Sequence, residues 1–227
     1  MPEEELIKFV VQEVLERVSA GTVGKKQEAK ISTEEKLLIP VASSSRHCHL
    51  SREDLDVLFG KDYQLSKLRD LSQPGQFAAS ECVTVVGPKG VKENVRILGP
   101  ERKESQVEIS ITDCYALGYD KFSIRDSGDH RDSSGITIAG PAGAVTLKKG
   151  VIVAQRHLHA TPDDAKRLGV ENGEFVRIAV EGERGLVFEK VFVRVRHDFK
   201  LELHLDTDEA NACAFTMGMK GKLLASG

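Results

Sequence analysis

Apolar residues recur along this chain with two different periods, and the change of period divides it. Over residues 3–19, Leu6, Val10, Val14 and Val18 fall every four positions, flanked by Ile7, Val11 and Leu15. That spacing predicts an amphipathic helix. Residues 20–35 are polar, with Gly21, Gly24 and the pair Lys25 and Lys26, and predict a flexible linker. From Lys36 onward the pattern shortens to β-branched runs at 37–41, 83–86, 95–98, 106–111, 136–138, 144–147, 151–153, 176–178, 187–188, 191–195 and 201–205. Gly-Pro pairs at 87–88, 99–100 and 140–141 mark tight corners between them. Closely spaced short strands with only brief helices predict one or two small β-barrels.

Within this strand-rich region a tetrapeptide pattern occurs twice, as Arg46-His47-Cys48-His49 and as Arg156-His157-Leu158-His159. On an extended strand two histidines separated by one residue leave the same face, so each pair can close on one metal ion. Alternation turns Cys48 to the opposite face, as a small core residue. The likeness continues. Ser51 stands three residues before Asp54, and Thr161 three before Asp164, the signature of a helix start. Pro162 falls at a first helical position, and Gly60 and Gly169 fit as stops. Each copy therefore reads as strand, His-x-His, turn and short helix, an internal duplication of one unit.

Two histidines rarely hold zinc alone; a catalytic site usually takes three protein ligands and leaves a position open. Period-two alternation supplies candidates for the third. Glu108 lies opposite in sense to Val107 and Ile109, and His204 opposite to Leu203 and Leu205. Both Glu108 and His204 are thus on polar strand faces. His130 and His197 lie in loop-like contexts and are read as surface or hydrogen-bonded residues.

Bulk properties narrow the class. The 227 residues are 40% hydrophobic and 30% charged, as in an ordinary globular protein. A formal net charge of −3 gives no electrostatic reason to expect nucleic acid or an anionic membrane. No apolar run reaches the length of a membrane span. The acidic N-terminus is unlike a secretory signal, and the four cysteines show no CxxC spacing, which points to a reduced cytoplasmic setting.

The motifs taken together resemble the PduL-type phosphate acyltransferases (phosphotransacylases) of bacterial microcompartments. The matching stretches are 46–55, 70–79, 98–100 with Arg102 and 106–110, 125–128, 156–159 and 205–212. The resemblance covers about residues 37–212. It implies a mainly β fold of two similar small barrels capped by short helices, with the N-terminal helix outside them. The barrels would interleave: 37–46 with 155–224 in one, 47–154 in the other, after a helix at 1–20 and a linker at 21–36. It further implies two zinc ions per chain, one on His47, His49 and Glu108, the other on His157, His159 and His204. Coenzyme A is implied as substrate and product, its sulfur beside the first zinc. Arg102 would hold phosphate. The phosphates of coenzyme A would meet Arg69 and Arg96, with Asn211 as a further contact. The reaction implied is acyl-CoA plus phosphate giving acyl phosphate plus coenzyme A, with propanoyl-CoA or acetyl-CoA as donor and no acyl-enzyme. The N-terminal helix would serve as an encapsulation peptide for shell or cargo proteins inside a cytoplasmic microcompartment, and the enzyme would be a homodimer.

Other readings compete. The stretch from His47 to Glu53 fits a cupin-like His-x-His-x3-Glu pattern of metal-dependent oxygenases and isomerases, although Glu53 falls in the expected helix. A zinc-stabilised scaffold is the non-enzymatic rival; it needs four protein ligands per ion, and three are identifiable. A His-x-His amidohydrolase needs a larger barrel with regular helices.

Overall fold

The computed structural model describes residues 38–224; the helix and linker expected before them lie outside the described residues. The fold is mainly β, as two closed six-stranded barrels. One ring runs β4 (Phe77–Val86), β5 (Val91–Gly99), β2 (His47–His49), β6 (Gln106–Glu108), β9 (Ala144–Ala154) and β8 (Ser134–Ala139). Strand β8 pairs with both β9 and β4 and so completes the circle. Two short strands, β3 (Lys67–Asp70) and β7 (Ile124–Arg125), extend it. The second ring runs β1 (Leu38–Ser44), β13 (Glu202–Asp206), β10 (His157–Ala160), β12 (Leu186–Val195), β11 (Phe175–Val180) and β14 (Lys220–Leu224).

The two rings repeat one pairing scheme. Strand β2 is flanked by β5 in parallel and β6 antiparallel; β10 is flanked by β12 in parallel and β13 antiparallel. Strand β9 runs parallel to β6 as β1 runs parallel to β13. In sequence, however, β1 precedes β2 and β9 precedes β10. The strand leading into each His-x-His therefore belongs to the opposite ring, and each histidine pair emerges at a crossing between barrels.

Each ring has its own apolar core, one around Val85, Ile97, Val107 and Ile138, the other around Ile39, Ile178, Val193 and Leu203. Alternation is what fills them. Cys48 and Leu158, the middle residues of the two motifs, are fully buried in the respective cores, which sends the flanking histidines to the other face. Fully burying a side chain such as Leu158 contributes about 1.5–3 kcal/mol, which strongly fixes the strand register and with it the histidine positions.

Four short helices cap the rings: α1 (Arg52–Phe59), α2 (Ile111–Leu117), α3 (Pro162–Leu168) and α4 (Thr207–Ala212). Ser51 and Thr161 cap α1 and α3 by accepting from the backbone N–H of Asp54 and Asp164, and Gly60 and Gly169 end them. The apolar run at 106–111 departs from expectation. The strand stops at Glu108, because Ser110 accepts from the Asp113 N–H at 3.2 Å and starts α2. Likewise, the separate runs at 144–147 and 151–153 are one strand, continued through Gly150, whose φ of 117° is open to glycine.

Candidate active site

Pairing register assembles two clusters. His47 stands directly opposite Glu108 across β2 and β6, and His157 directly opposite His204 across β10 and β13. His49 and His159 follow two residues later on the same face. In each trio, one potential ligand atom per residue lies within 4.8 Å of the others. The trios expected from sequence are therefore the trios that the fold brings together. Both line a single cavity of about 610 Å³, together with Arg102 from the first ring and Arg194 from the second.

The hydrogen bonds around the clusters repeat as well. The Nδ1 of His47 lies 2.9 Å from the Ser45 carbonyl oxygen, and the Nδ1 of His157 lies 2.7 Å from that of Gln155. A carbonyl can only accept, so each ring carries its proton on Nδ1 and keeps Nε2 as an electron-pair donor. His204 Nε2 lies 2.6 Å from a Glu202 carboxylate oxygen. Glu202 also accepts from the Ser72 hydroxyl and, at 3.3 Å, from the Gln73 amide, both from the opposite ring. The Nδ1 atoms of His49 and His159 are buried with no hydrogen-bond partner.

Burial first, and the neighbouring imidazoles next, push His49 and His157 down to about 3 and His159 to about 2. These rings are neutral at physiological pH, the form that binds metal. His47 behaves differently. Burial opposes its charge, but Glu108 and the Ser45 carbonyl outweigh that and raise it. Glu108, despite burial, is held well below the usual carboxylate range by His47, His49 and Ser127. A carboxylate ionised in the interior beside imidazoles, and orphaned imidazole nitrogens in both clusters, fit divalent cations with nitrogen and oxygen ligands.

Sequence reasoning missed the network behind Glu108. The Gln106 side-chain oxygen accepts from Gly128 N at 2.8 Å and lies 2.8 Å from His130 Nε2. Its amide nitrogen must then face Ser127 Oγ, at 2.8 Å, and Glu108, at 2.5 Å. Ser127 donates to Glu108 at 2.6 Å and accepts from Arg102 Nη1 at 2.6 Å. One hydroxyl thus ties Arg102 to Glu108. Alternation gave Gln106 the same face as Glu108, but nothing in the sequence placed Ser127 or His130 beside them. His130 is buried and hydrogen-bonded, while His197 is exposed.

Behind both motifs lies one further repeat. Arg46 binds Asp113 through Nε and Nη2 at 2.8 and 2.9 Å, and Arg156 binds Glu209 through Nε at 2.6 Å. Each acid stands five residues after the third member of its trio.

The remaining expected residues are spread around the cavity. Arg96, in register with His47, lines it and donates to the Ala79 and Ser80 carbonyls at 3.0 and 2.8 Å. Arg69 lines it from the exposed strand β3. Asn211 is exposed on α4, outside the lining. Glu53, the carboxylate of the cupin-like pattern, is exposed on α1 and does not join the histidines. No cysteine lines the cavity, and the four cysteines are free thiols.

A family model described as phosphate propanoyltransferase matches residues 40–216. A phosphate propanoyltransferase of Thermotoga maritima is 55% identical over 181 residues, 79% of this chain and 86% of that protein. Those of Enterococcus faecalis and Clostridioides difficile are 48% and 47% identical, covering 86% and 97% of this chain and 92% and 98% of theirs. The matched region contains all six residues of the two trios, and by this extent of sequence match the chain belongs to the phosphate propanoyltransferase family.

Proposed function

We propose that this chain is a phosphate acyltransferase. It moves a propanoyl or acetyl group between coenzyme A and inorganic phosphate, in the cavity where the two trios meet. The observation that carries the reading is that two three-donor clusters and two half-buried arginines face the same space. His47, His49 and Glu108 would hold one zinc ion, and His157, His159 and His204 the other. Zinc bound there supplies a Lewis acid for a thioester carbonyl and a soft acceptor for sulfur.

The chain's own groups do the rest. Arg102 gives one N–H to Ser127 and keeps its other donors for a phosphate, which a planar guanidinium binds through two oxygens at once. Phosphate held in this way is a positioned nucleophile. Its oxygen attacks the acyl carbon, the C–S bond breaks, and the sulfur leaves as thiolate. With no cysteine on the cavity wall, direct transfer is the economical route. Glu202 holds His204 in one orientation, as Ser45 and Gln155 do for His47 and His157. Arg69, Arg96 and Asn211 are assigned to the nucleotide phosphates of coenzyme A.

For the chain's organisation we infer one barrel from 37–46 with 155–224 and another from 47–154, a division supported by the exchange of β1 and β9. The homodimer and the microcompartment location, reached through residues 1–20, belong to the same proposal. Fusing residues 1–20 to a fluorescent protein tests the targeting: diffuse fluorescence in cells that make microcompartments refutes it.

The decisive experiment follows coenzyme A release from propanoyl-CoA and acetyl-CoA, with and without phosphate and chelator. Phosphate-dependent release that chelator abolishes is the expected result. Two zinc equivalents per chain are expected by elemental analysis, falling to one in His157→Ala with loss of transfer. Zinc-loaded protein that releases no coenzyme A overturns the assignment and favours a scaffold.

A further inference from the structure

We propose that Arg194 is a second phosphoryl-binding group, acting with Arg102 from the opposite barrel on the phosphate that receives the acyl group. This rests on the transacylase reading above.

Strand β12 runs parallel to β10, with Arg194 in register with His159 and Val193 in register with Leu158. Val193 and Leu158 are both fully buried in the core, so Arg194 and His159 leave the sheet together on the cavity side. The Arg194 guanidinium is stacked 5.6 Å from the centre of the Phe199 ring. It is half-buried and makes no hydrogen bond or ion pair among the described residues.

Among the other arginines on the wall, Arg46 is bound to Asp113 and Arg196 to Asp198, Arg96 gives Nη1 to two backbone carbonyls, and Arg69 lies on the exposed strand β3. Arg102 and Arg194 therefore confront each other with no carboxylate of their own. The acids on the wall are already engaged: Glu108 with Ser127 and Gln106, Asp206 with the start of α4. Burial lowers the pKa of Arg102, Glu108 opposes that, and Arg194 across the cavity adds to the lowering.

Half-buried like charges facing one space need an anion. A dianionic phosphate matches two guanidinium forks. Coenzyme A also carries phosphates, but they are separated from its sulfur by the pantetheine arm, whereas Arg194 stands beside His159, at the reacting end.

The test uses zinc-loaded wild type, Arg194→Ala and Arg194→Lys. In Arg194→Ala the KM for phosphate should rise about tenfold or more, corresponding to about 1.4 kcal/mol. Arg194→Lys keeps the charge without the fork and should fall between. The KM for acyl-CoA and the zinc content should not change. Independently of turnover, inorganic phosphate should raise the melting temperature of wild type and not of Arg194→Ala. An unchanged phosphate KM overturns the proposal, as does a rise confined to acyl-CoA, which would hand the residue to coenzyme A. A fall in kcat alone also overturns it, since that marks a structural role. If wild type releases no coenzyme A with phosphate, the transacylase reading fails instead, and the melting shift still decides whether Arg194 binds phosphate.

Discussion

Asp113 and Glu209 occupy the same place in the duplicated unit, and their surroundings predict opposite responses to losing charge. Asp113 is 2% exposed and receives Arg46 Nε and Nη2 at 2.8 and 2.9 Å and Lys92 Nζ at 3.2 Å. Burial opposes its ionisation, yet Arg46 and Lys92 together hold its pKa below 3.8. Each hydrogen bond to a charged group contributes about 1.5–3 kcal/mol. Arg46 and Lys92 are 38% and 27% exposed and can return to water, which discounts the sum. Asp113→Asn should then cost about 2–3 kcal/mol, and lower the melting temperature by about 5–10 °C for a protein of this size. Glu209 has Arg156 alone, with Asp206 nearby, and burial prevails: its pKa is raised above 4.5. Its ionisation at neutral pH therefore opposes folding. Glu209→Gln removes that penalty while losing one acceptor, either for Arg156 or for the Asp206 N–H. The two effects nearly cancel, to within about 1 kcal/mol.

The pH dependence follows from the signs. An acid with a depressed folded pKa stabilises above its unfolded value, and the stabilisation is lost as pH falls through the folded one. The gap between wild type and Asp113→Asn should be constant from neutrality down and close below pH 3.8. For Glu209 the penalty is complete above its raised pKa and is relieved as pH falls from there to 4.5. Urea unfolding of wild type and both variants across this range is the assay. Equal losses in the two variants at pH 7 would refute the reasoning, and so would an Asp113→Asn gap that persists undiminished in acid.

Three other changes probe the frame. Ser127→Ala unties Arg102 from Glu108, so the phosphate KM should rise and the affinity of one zinc equivalent fall about 10–100-fold, read by chelator competition. If neither quantity moves, the hydroxyl is not a link. Gln73→Ala removes a buried amide that donates to the Lys200 carbonyl at 3.0 Å and accepts from its N–H at 3.1 Å. It should cost about 1–3 kcal/mol and speed amide exchange around 200–204, with unchanged exchange counting against an inter-barrel latch. Gly90→Ala would put a Cβ 2.1 Å from the Ala116 carbonyl oxygen, and overpacking of this kind costs about 1–3 kcal/mol or more. An unaltered melting temperature would show that the hairpin shifts freely away from α2.

The duplicated histidines are legible because two period-two signals agree there. A buried residue lies between two imidazoles, and a polar residue stands between apolar ones on the partner strand. Alternation alone brings Glu108 and His204 to the correct face, and pairing register does the rest. The same rule fails at 109–111, where apolar character continues past the strand into α2. Ser110 and Asp113 carry there the same spacing as Ser51 with Asp54 and Thr161 with Asp164, but the apolar run conceals it. The capping box of Asp206 and Glu209 is hidden for a similar reason, since acidic residues at the end of a strand look like a loop.

What alternation cannot supply is neighbourhood between segments that share no strand pairing. Ser127 and His130 come from an irregular stretch, and only three-dimensional closure sets them against Gln106. Ser72 and Gln73 cross to the other barrel to reach Glu202, 130 and 129 residues away in sequence. Arg194 is the intermediate case. Its place between Val193 and Val195 already assigns it to the polar face of a strand. What the sequence lacks is the register of β12 against β10, which sets it beside His159. The frame of the site is local and repeated, so sequence displays it twice. The groups that distinguish one half from the other are long-range and occur once, so no repeat in the sequence announces them.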